Sequence, residues 1–151
     1  MKLSRSELVK RSDRLFSLRV RYGNAIEHQH QLFCICWSCG KKTPFNKIDN
    51  GHFISRQVYP LRWDLANCHP ECHYDNRFNQ DHLIGYTISM ANQFGIDKVK
   101  ELHEIEKKWR SGKISAPKIK ELREIYNENL RAVRELSSKF GKLIPDSWKE
   151  E

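Results

Sequence analysis

The sequence predicts an α+β protein that is mainly helical, with a cysteine-rich core between an N-terminal helix and a set of C-terminal helices. Apolar residues recur at helical spacing near the N-terminus and again through the second half of the chain. Between residues 33 and 74 this period fails, and glycines and prolines break the chain into short strands and loops. All five cysteines fall within thirty-nine residues of that middle stretch. The 151 residues suit a single domain.

The N-terminal segment, residues 1–30, is predicted to be a basic helical arm. Ser4 with Glu7 three residues later is typical of a capping box, and Gly23 is a suitable end for the helix. The helix-spaced apolar residues between them are Leu8, Leu15, Phe16, Leu18 and Val20. The basic side chains of this segment favour either phosphate contact or a solvated face, and the sequence leaves both open.

Residues 31–80 form the predicted core, and residues 81–151 form a predicted helical extension. One helix is expected over 81–94, ending at Gly95, and a second is expected to be capped by Asp97 and to end before Gly112. A long amphipathic helix follows, ending near Gly141 with Pro145 beyond it. The apolar stripes of these helices favour core packing, with dimerisation as the alternative.

Composition limits the class of partner. The chain has 27 Lys and Arg against 19 Asp and Glu, a net charge of +8 at pH 7, which favours a polyanion such as DNA over an acidic protein surface. No apolar run has the length of a transmembrane segment or a signal peptide. We therefore expect a cytoplasmic protein without a membrane partner.

The spacing of the cysteines is typical of a metal site, and their odd number argues against a disulfide framework. Cys36 and Cys39 flank two residues, which lets a tight turn direct both thiolates to one ion, and Cys72 is the obvious third ligand. A second such pair would place the fourth ligand at position 75, where Asp75 offers a carboxylate oxygen. The alternative fourth donors are Cys34, Cys68, His69 and His73. The predicted ion is a structural Zn²⁺.

A second set of polar residues surrounds His52. Asp49 lies three residues before it, Asn67 fifteen residues after it, and Asn76 a further nine residues on. Alone, a histidine is more often structural than catalytic. With these offsets, however, the stretch resembles the zinc-pinned core of HNH nucleases, in which a hairpin and a helix form a ββα-metal fold.

In such a core, each of these side chains has a chemical role. The imidazole of His52 titrates near neutral pH and can take a proton from water, while a hard divalent cation stabilises the charge on the phosphate. Asn76 offers an oxygen ligand to that cation, and Asp49 is a candidate second ligand. The amide of Asn67 would bridge loop backbone groups and orient the histidine.

The combined pattern resembles the bacteriophage lambda NinG family, also called Rap, over roughly residues 30–136. The matching segments are Cys36-x-x-Cys39, Asp49-x-Gly51-His52, the Arg62 region, Asn67-x-His69-x-x-Cys72 and Asn76. The resemblance implies an endonuclease that cuts branched recombination intermediates such as Holliday junctions and D-loops. It also implies a structural zinc and a separate catalytic Mg²⁺ or Mn²⁺. A phage-encoded member would act in the host cytoplasm.

The resemblance implies roles for individual residues as well. It makes His52 the general base, Asp49 and Asn76 the ligands of the catalytic cation, and Asn67 the stabilising amide. It makes Cys36, Cys39 and Cys72 structural zinc ligands. This sequence departs from the family at Asp75, where the pattern has a cysteine. It departs from better-known HNH nucleases at Gly51, where a metal ligand often stands, so that Asp49 must reach from further upstream.

Other residues have more than one interpretation. Arg56 and Arg62 are candidate DNA-phosphate contacts, with solvated or carboxylate-paired arginines as the alternative. His69 is a candidate partner of a metal ligand, phosphate contact or core residue. The alternative function is a non-catalytic zinc-containing DNA-binding or recombination-accessory module, which would have no use for His52 and Asn76. Paired cutting of a four-way junction would require two active sites, and hence a homodimer.

Overall fold

The computed structural model describes residues 2–142 and 148–151, and in these residues it contains six α-helices and five β-strands. The helices are α1 (Arg5–Gly23), α2 (Tyr59–Arg62), α3 (His73–Arg77), α4 (His82–Phe94), α5 (Ile96–Arg110) and α6 (Ile119–Ser138). The strands are β1 (Ile26–His28), β2 (Gln31–Ile35), β3 (Lys42–Pro44), β4 (Ile48–His52) and β5 (Cys68–Cys72). The predicted α+β, mainly helical class is confirmed. In the described part of the chain, no helix is both long enough and apolar enough to cross a bilayer.

Helix α1 begins at the predicted capping box. The Ser4 hydroxyl accepts a hydrogen bond from the Glu7 amide at 3.4 Å, and the Glu7 carboxylate accepts one from the Ser4 amide at 2.9 Å. Leu8 and Leu15 of α1 are fully buried in one cluster with apolar residues of α6, namely Leu122, Tyr126, Leu130 and Val133. The stripe of α6 therefore fills the core of the protein itself, which is the interpretation that the sequence favoured.

The start of α5 differs from the prediction. Gly95, with φ of +84°, is the N-cap, and Asp97 lies in the first helical turn. Because the chain passes from α4 into α5 through this single glycine, no non-helical position is left for Asp97 to cap. Helix α6 ends at Ser138, before Gly141, and the predicted stop at Pro145 lies outside the described residues.

Two small antiparallel sheets form the centre of the fold. Strands β1, β2 and β3 make one sheet in that order, and β4 pairs with β5 in the other. The β4–β5 register pairs Ile48 with Cys72 and His52 with Cys68, and α3 begins at the residue after β5. The start of β4, the end of β5 and the whole of α3 are therefore neighbours.

Helix α4 lies directly against the turn that carries Cys36 and Cys39. A Cβ atom added at Gly85 would lie 1.9 Å from the backbone oxygen of Ser38, and Ser89 donates a hydrogen bond to the Trp37 carbonyl at 2.6 Å. The absence of a side chain at Gly85 therefore lets the helix and the turn approach closely.

Gly85→Ala is expected to destabilise the protein by roughly 1–3 kcal/mol, because the clashing atom is backbone and cannot rotate away. In an ordinary helix interior the same change stabilises by about 1 kcal/mol, so even the sign of the effect is informative. Urea denaturation followed by circular dichroism measures it, with Ile88→Ala on the exposed face of α4 as the control. An alanine variant as stable as the wild type would contradict this close approach.

Candidate metal centre and adjoining cleft

Four side chains from three parts of the chain form a compact cluster. Cys36 and Cys39 lie in the turn after β2, Cys72 ends β5, and Asp75 lies in α3. Their potential ligand atoms all lie within 4.8 Å of one another, and Cys36 and Asp75 are buried. This four-residue cluster can hold a metal ion, with the donors that the sequence predicted.

The carboxylate of Asp75 is the hydrogen-bond acceptor of the cluster. Its Oδ2 lies 3.3 Å from the Cys36 sulfur and 3.1 Å from the Cys72 sulfur, and Asn79 donates to Oδ1 at 2.9 Å. Although burial opposes ionisation, these hydrogen bonds and one from Cys39 lower the pKa of Asp75 to about 2. Burial raises the pKa of Cys39 to about 12 and that of Cys72 to about 11. A bound cation would supply the positive charge that favours their thiolates.

The turn between Cys36 and Cys39 has the backbone geometry of a tight knuckle. The Gly40 amide donates to the Cys36 carbonyl at 2.8 Å, and the Cys36 amide donates to the Lys41 carbonyl at 2.9 Å. Gly40 has φ of +74°, which glycine adopts without strain. The Cys72 amide also donates to the Cys36 sulfur at 3.3 Å, which joins the end of β5 to this turn.

The alternative fourth donors all lie elsewhere. The Cys34 thiol donates to the Arg21 carbonyl at 3.4 Å, and Cys68 is buried beside Phe16 and Val20. The other two candidates are histidines. The His69 ring stacks on Trp37 and His73 faces Asp49. Asp75 is therefore the donor that completes the cluster.

A cleft of about 350 Å³ lies between α1, strand β4 and α3, the helix that also carries Asp75. Its lining residues are Asp13, Phe16, Ser17, Asp49, Asn50, His52, Arg56, Arg62, Asn76 and Arg77. The structure thus brings His52, Asp49, Asn76, Arg56 and Arg62 together in one place. Asn67 lies behind the cleft rather than in it.

His52 has one ring nitrogen fixed by the backbone. Its Nε2 lies 3.0 Å from the carbonyl oxygen of Arg62, and a carbonyl can only accept. Nε2 therefore carries the hydrogen, and Nδ1 is left as the unprotonated nitrogen of the neutral ring. Burial lowers the pKa of His52, partly opposed by this hydrogen bond. The imidazole is thus held in the state that can accept a proton.

Asp49 is the central carboxylate of the cleft. It accepts two hydrogen bonds from Arg77, both 2.9 Å, and one from Asn76 at 3.1 Å, while His73 Nδ1 lies 3.0 Å from Oδ2. Although burial opposes ionisation, the hydrogen bonds from Arg77 and Asn76 hold the pKa of Asp49 below its usual range. The sequence predicted the meeting of Asp49 and Asn76. It did not predict Arg77 or the position of His73, although both lie on the same helix as Asn76.

Asn67 fixes the loop that follows His52. Its Oδ1 accepts from the Ile54 amide at 2.8 Å, and its Nδ2 donates to the carbonyls of Ile54 and Leu61 at 2.9 and 3.1 Å. Because this loop leads to the Arg62 carbonyl, the fully buried amide of Asn67 acts on His52 through the backbone. It does not touch the imidazole in this structure.

The two arginines that were predicted to contact DNA, Arg56 and Arg62, differ in their surroundings. Arg62 donates two hydrogen bonds to Asp13 of α1, at 2.8 and 2.6 Å, and Trp63 Nε1 donates to the same carboxylate at 3.0 Å. Arg62 therefore matches the carboxylate-paired alternative. Arg56 is exposed at the rim of the cleft. Sequence reasoning did not predict a role for Asp13. Nothing about an acidic residue in a basic helix indicates that it pairs with a residue 49 positions away.

His69 belongs to the core, which is one of the three roles considered for it. Its ring stacks on Trp37 with centroids 3.6 Å apart, and its Nε2 is 2.9 Å from the Ala66 carbonyl oxygen. Burial lowers the pKa of His69 to about 4. The ring is therefore neutral at physiological pH and contributes packing.

Glu71 is a buried carboxylate that sequence reasoning missed. Its Oε1 accepts a hydrogen bond from Ser38 at 2.6 Å and is also hydrogen-bonded to Nδ1 of His82 in α4. A Cβ atom at Gly51 would lie 2.3 Å from Glu71 Oε2. Glu71 thus explains the glycine before His52, because any side chain at position 51 would collide with it.

A family model described as Bacteriophage Lambda NinG protein matches residues 3–136. The chain belongs to the NinG family. Among its curated relatives, the protein ninG of Salmonella phage P22 is 27% identical over 116 residues, covering 76% of this chain and 55% of the relative. The protein ninG of Escherichia phage 933W is 30% identical over 80 residues, covering 52% of this chain and 39% of the relative.

This NinG-family chain spans about half the length, or less, of the curated relatives it matches. No solved structure gives a significant match. The family match covers the four-residue cluster and the whole lining of the cleft. Both features therefore lie in the part of the chain that the family shares.

Proposed function

We propose that this protein is a metal-dependent DNA endonuclease that hydrolyses phosphodiester bonds by an HNH-type reaction and acts on branched recombination intermediates. One observation carries the proposal. A neutral His52, whose Nδ1 is free to accept a proton, lines the same cleft as Asp49 and Asn76. The β4–β5 hairpin followed directly by α3 supports an HNH-type ββα core, because it has the same order of elements.

The residues of the cleft divide the reaction between them. His52 accepts the proton of the attacking water, and the Arg62 carbonyl holds the opposite side of the ring in position. Asp49 and Asn76 fit a divalent cation, because a carboxylate and an amide rotated to present its oxygen are the donors that Mg²⁺ and Mn²⁺ accept. The cation, when bound, would stabilise charge on the phosphate and the leaving oxygen. Arg56, which is exposed at the rim of the cleft, would contact the DNA backbone.

A structural role for zinc at the four-residue cluster is part of the proposal. Three thiolates and one carboxylate make a closed tetrahedral set of the kind that binds Zn²⁺ without an open position for chemistry. The cluster joins the turn after β2, strand β5 and helix α3. Zinc there would hold α3, and with it Asn76, against the hairpin.

The choice of branched DNA rests on the family resemblance alone, whereas the net charge of +8 favours DNA of any shape. The alternative is a non-catalytic zinc-containing DNA-binding or recombination-accessory module. One observation favours that alternative, because both carboxylates of the cleft, Asp13 and Asp49, are paired with arginines. The two functions differ in whether the cleft binds a divalent cation and cuts DNA.

Cleavage of a labelled four-way junction, compared with a linear duplex of the same sequence, tests the proposal. We expect cutting of the junction with Mg²⁺ or Mn²⁺, none with EDTA, and weaker cutting of the duplex. Tight binding of the junction with no cleavage under any metal would support the non-catalytic alternative. Equal cutting of junction and duplex would support endonuclease activity but contradict a preference for branched DNA.

The rate of cleavage should fall at acidic pH with a midpoint below the ordinary histidine value of about 6.5. Burial lowers the pKa of His52, with Arg56 and Arg62 acting in the same direction and Asp13 opposing them. The base is therefore active above this lowered pKa and is lost as pH falls through it. Single-turnover rates from about pH 5 to pH 8 measure the midpoint. A midpoint clearly above 6.5 would contradict the role of His52.

A further inference from the structure

His73 occupies an unusual position beside the proposed cation site. It is the first residue of α3, and its Nδ1 lies 3.0 Å from Asp49 Oδ2. The same carboxylate oxygen accepts hydrogen bonds from Asn76 Nδ2 at 3.1 Å and Arg77 Nε at 2.9 Å. Three nitrogen atoms of one short helix therefore converge on a single oxygen of β4.

The contact between His73 and Asp49 is close, but it is not a hydrogen bond. His73 Nδ1 is buried from solvent and has no hydrogen-bond partner, in spite of its distance of 3.0 Å from the carboxylate. Buried polar atoms in proteins nearly always have a partner, so an unpartnered one requires an explanation. A ligand shared between His73, Asp49 and Asn76 provides it.

Arg77 indicates the charge of that ligand. Its guanidinium makes both of its hydrogen bonds to Asp49, yet its side chain is 53% exposed. Because about half of this side chain is exposed, it can turn from the carboxylate towards solvent when another cation takes its place. A divalent cation arriving at Asp49 would replace the positive charge of Arg77 and free that side chain to contact the phosphate backbone.

We propose that His73 Nδ1 is a third ligand of the divalent cation at Asp49 and Asn76, and that the site prefers Mn²⁺ and other first-row transition metals over Mg²⁺. This inference rests on the proposed function. Mg²⁺ prefers oxygen ligands in strict octahedral geometry, whereas imidazole nitrogen is a good ligand for transition metals. His73 is thus the residue that sets the metal preference.

The test is metal binding by wild-type protein and His73→Gln, each loaded with one equivalent of zinc. We expect wild-type protein with bound Mn²⁺ to show electron spin echo modulation from a ligand ¹⁴N nucleus, and the variant to lose it. The Mn²⁺ affinity, followed by electron paramagnetic resonance, should fall at least about tenfold in the variant. The Mg²⁺ affinity, measured by competition, should change by less than about threefold.

Two further variants complete the design. His28→Gln, which removes an exposed histidine on β1, should leave the Mn²⁺ affinity and the ¹⁴N signal unchanged. Asp49→Asn should lower the affinity for both Mn²⁺ and Mg²⁺, which would confirm that the measured site lies in the cleft. An unchanged signal and affinity in His73→Gln would overturn the inference, whether or not the wild type cuts DNA. Binding of Mn²⁺ through His73 without DNA cleavage would instead sustain the ligand assignment and count against the proposed function.

Discussion

His52→Ala is expected to lower the rate of junction cleavage by about 10²–10⁴-fold while leaving DNA binding unchanged. The imidazole acts on the transition state, and it makes a single hydrogen bond to the Arg62 carbonyl at 3.0 Å. Loss of that bond costs about 1 kcal/mol of stability, so the variant should remain folded. Single-turnover cleavage with Mn²⁺ measures the rate, and a gel-shift assay measures binding.

The matched control for this substitution is His28→Ala, because His28 is exposed on β1 and does not line the cleft. It should cut at the wild-type rate. A thermal melt of both variants separates loss of chemistry from loss of fold. Wild-type cleavage by folded His52→Ala protein would remove the general base from the proposed mechanism and leave His52 as a structural histidine.

Cys36→Ser is expected to release the structural metal and to lower the free energy of unfolding by roughly 4 kcal/mol or more. Cys36 is buried in the four-residue cluster, where its sulfur accepts a hydrogen bond from the Cys72 amide and contacts the Asp75 carboxylate. A shift of that size corresponds to a fall in Tm on the order of 10 °C for a chain of this length. Zinc content by mass spectrometry and thermal unfolding measure the two effects.

Cys34→Ser provides the control, because Cys34 is also buried and lies only two residues away. Burial raises the pKa of Cys34 to about 11, and its thiol donates to the Arg21 carbonyl at 3.4 Å, a bond that a serine hydroxyl can also make. This variant should keep one equivalent of zinc. Equal zinc content and equal Tm in Cys36→Ser and wild-type protein would contradict a structural metal at the cluster.

Features that depend on short stretches of chain could be predicted from the sequence. The capping box of α1 joins residues three apart, and the turn that carries Cys36 and Cys39 closes within residues 36–41. The amphipathic stripe of α6 likewise repeats every three or four residues. Local hydrogen bonding and helical periodicity determine such features, so the pattern of residue types is sufficient to predict them.

Helix α5 begins at a different residue from the predicted one, and the reason is not local. Asp97 is a good cap by residue type, but the angle between α4 and α5 is made at Gly95 alone. The packing of α5 against α2 and α4 selects where the helix begins, and this overrides the local preference. The glycine at position 51 could not be explained from the sequence for the same reason. A side chain there would collide with Glu71, which lies on the opposite strand.

By itself, the sequence predicted the mainly helical α+β class, the three cysteine donors of the four-residue cluster with Asp75 as one of several candidates for the fourth, and the meeting of Asp49 with Asn76. Only the tertiary structure decided which further side chains meet in and beside the cleft. Asp13 neutralises Arg62, and Arg77 with His73 surrounds Asp49. Such pairs join α1 to the segment after β4, or β4 to α3, across 24 to 49 positions of the chain. Their formation depends on how these elements pack together, which no local spacing of residues records.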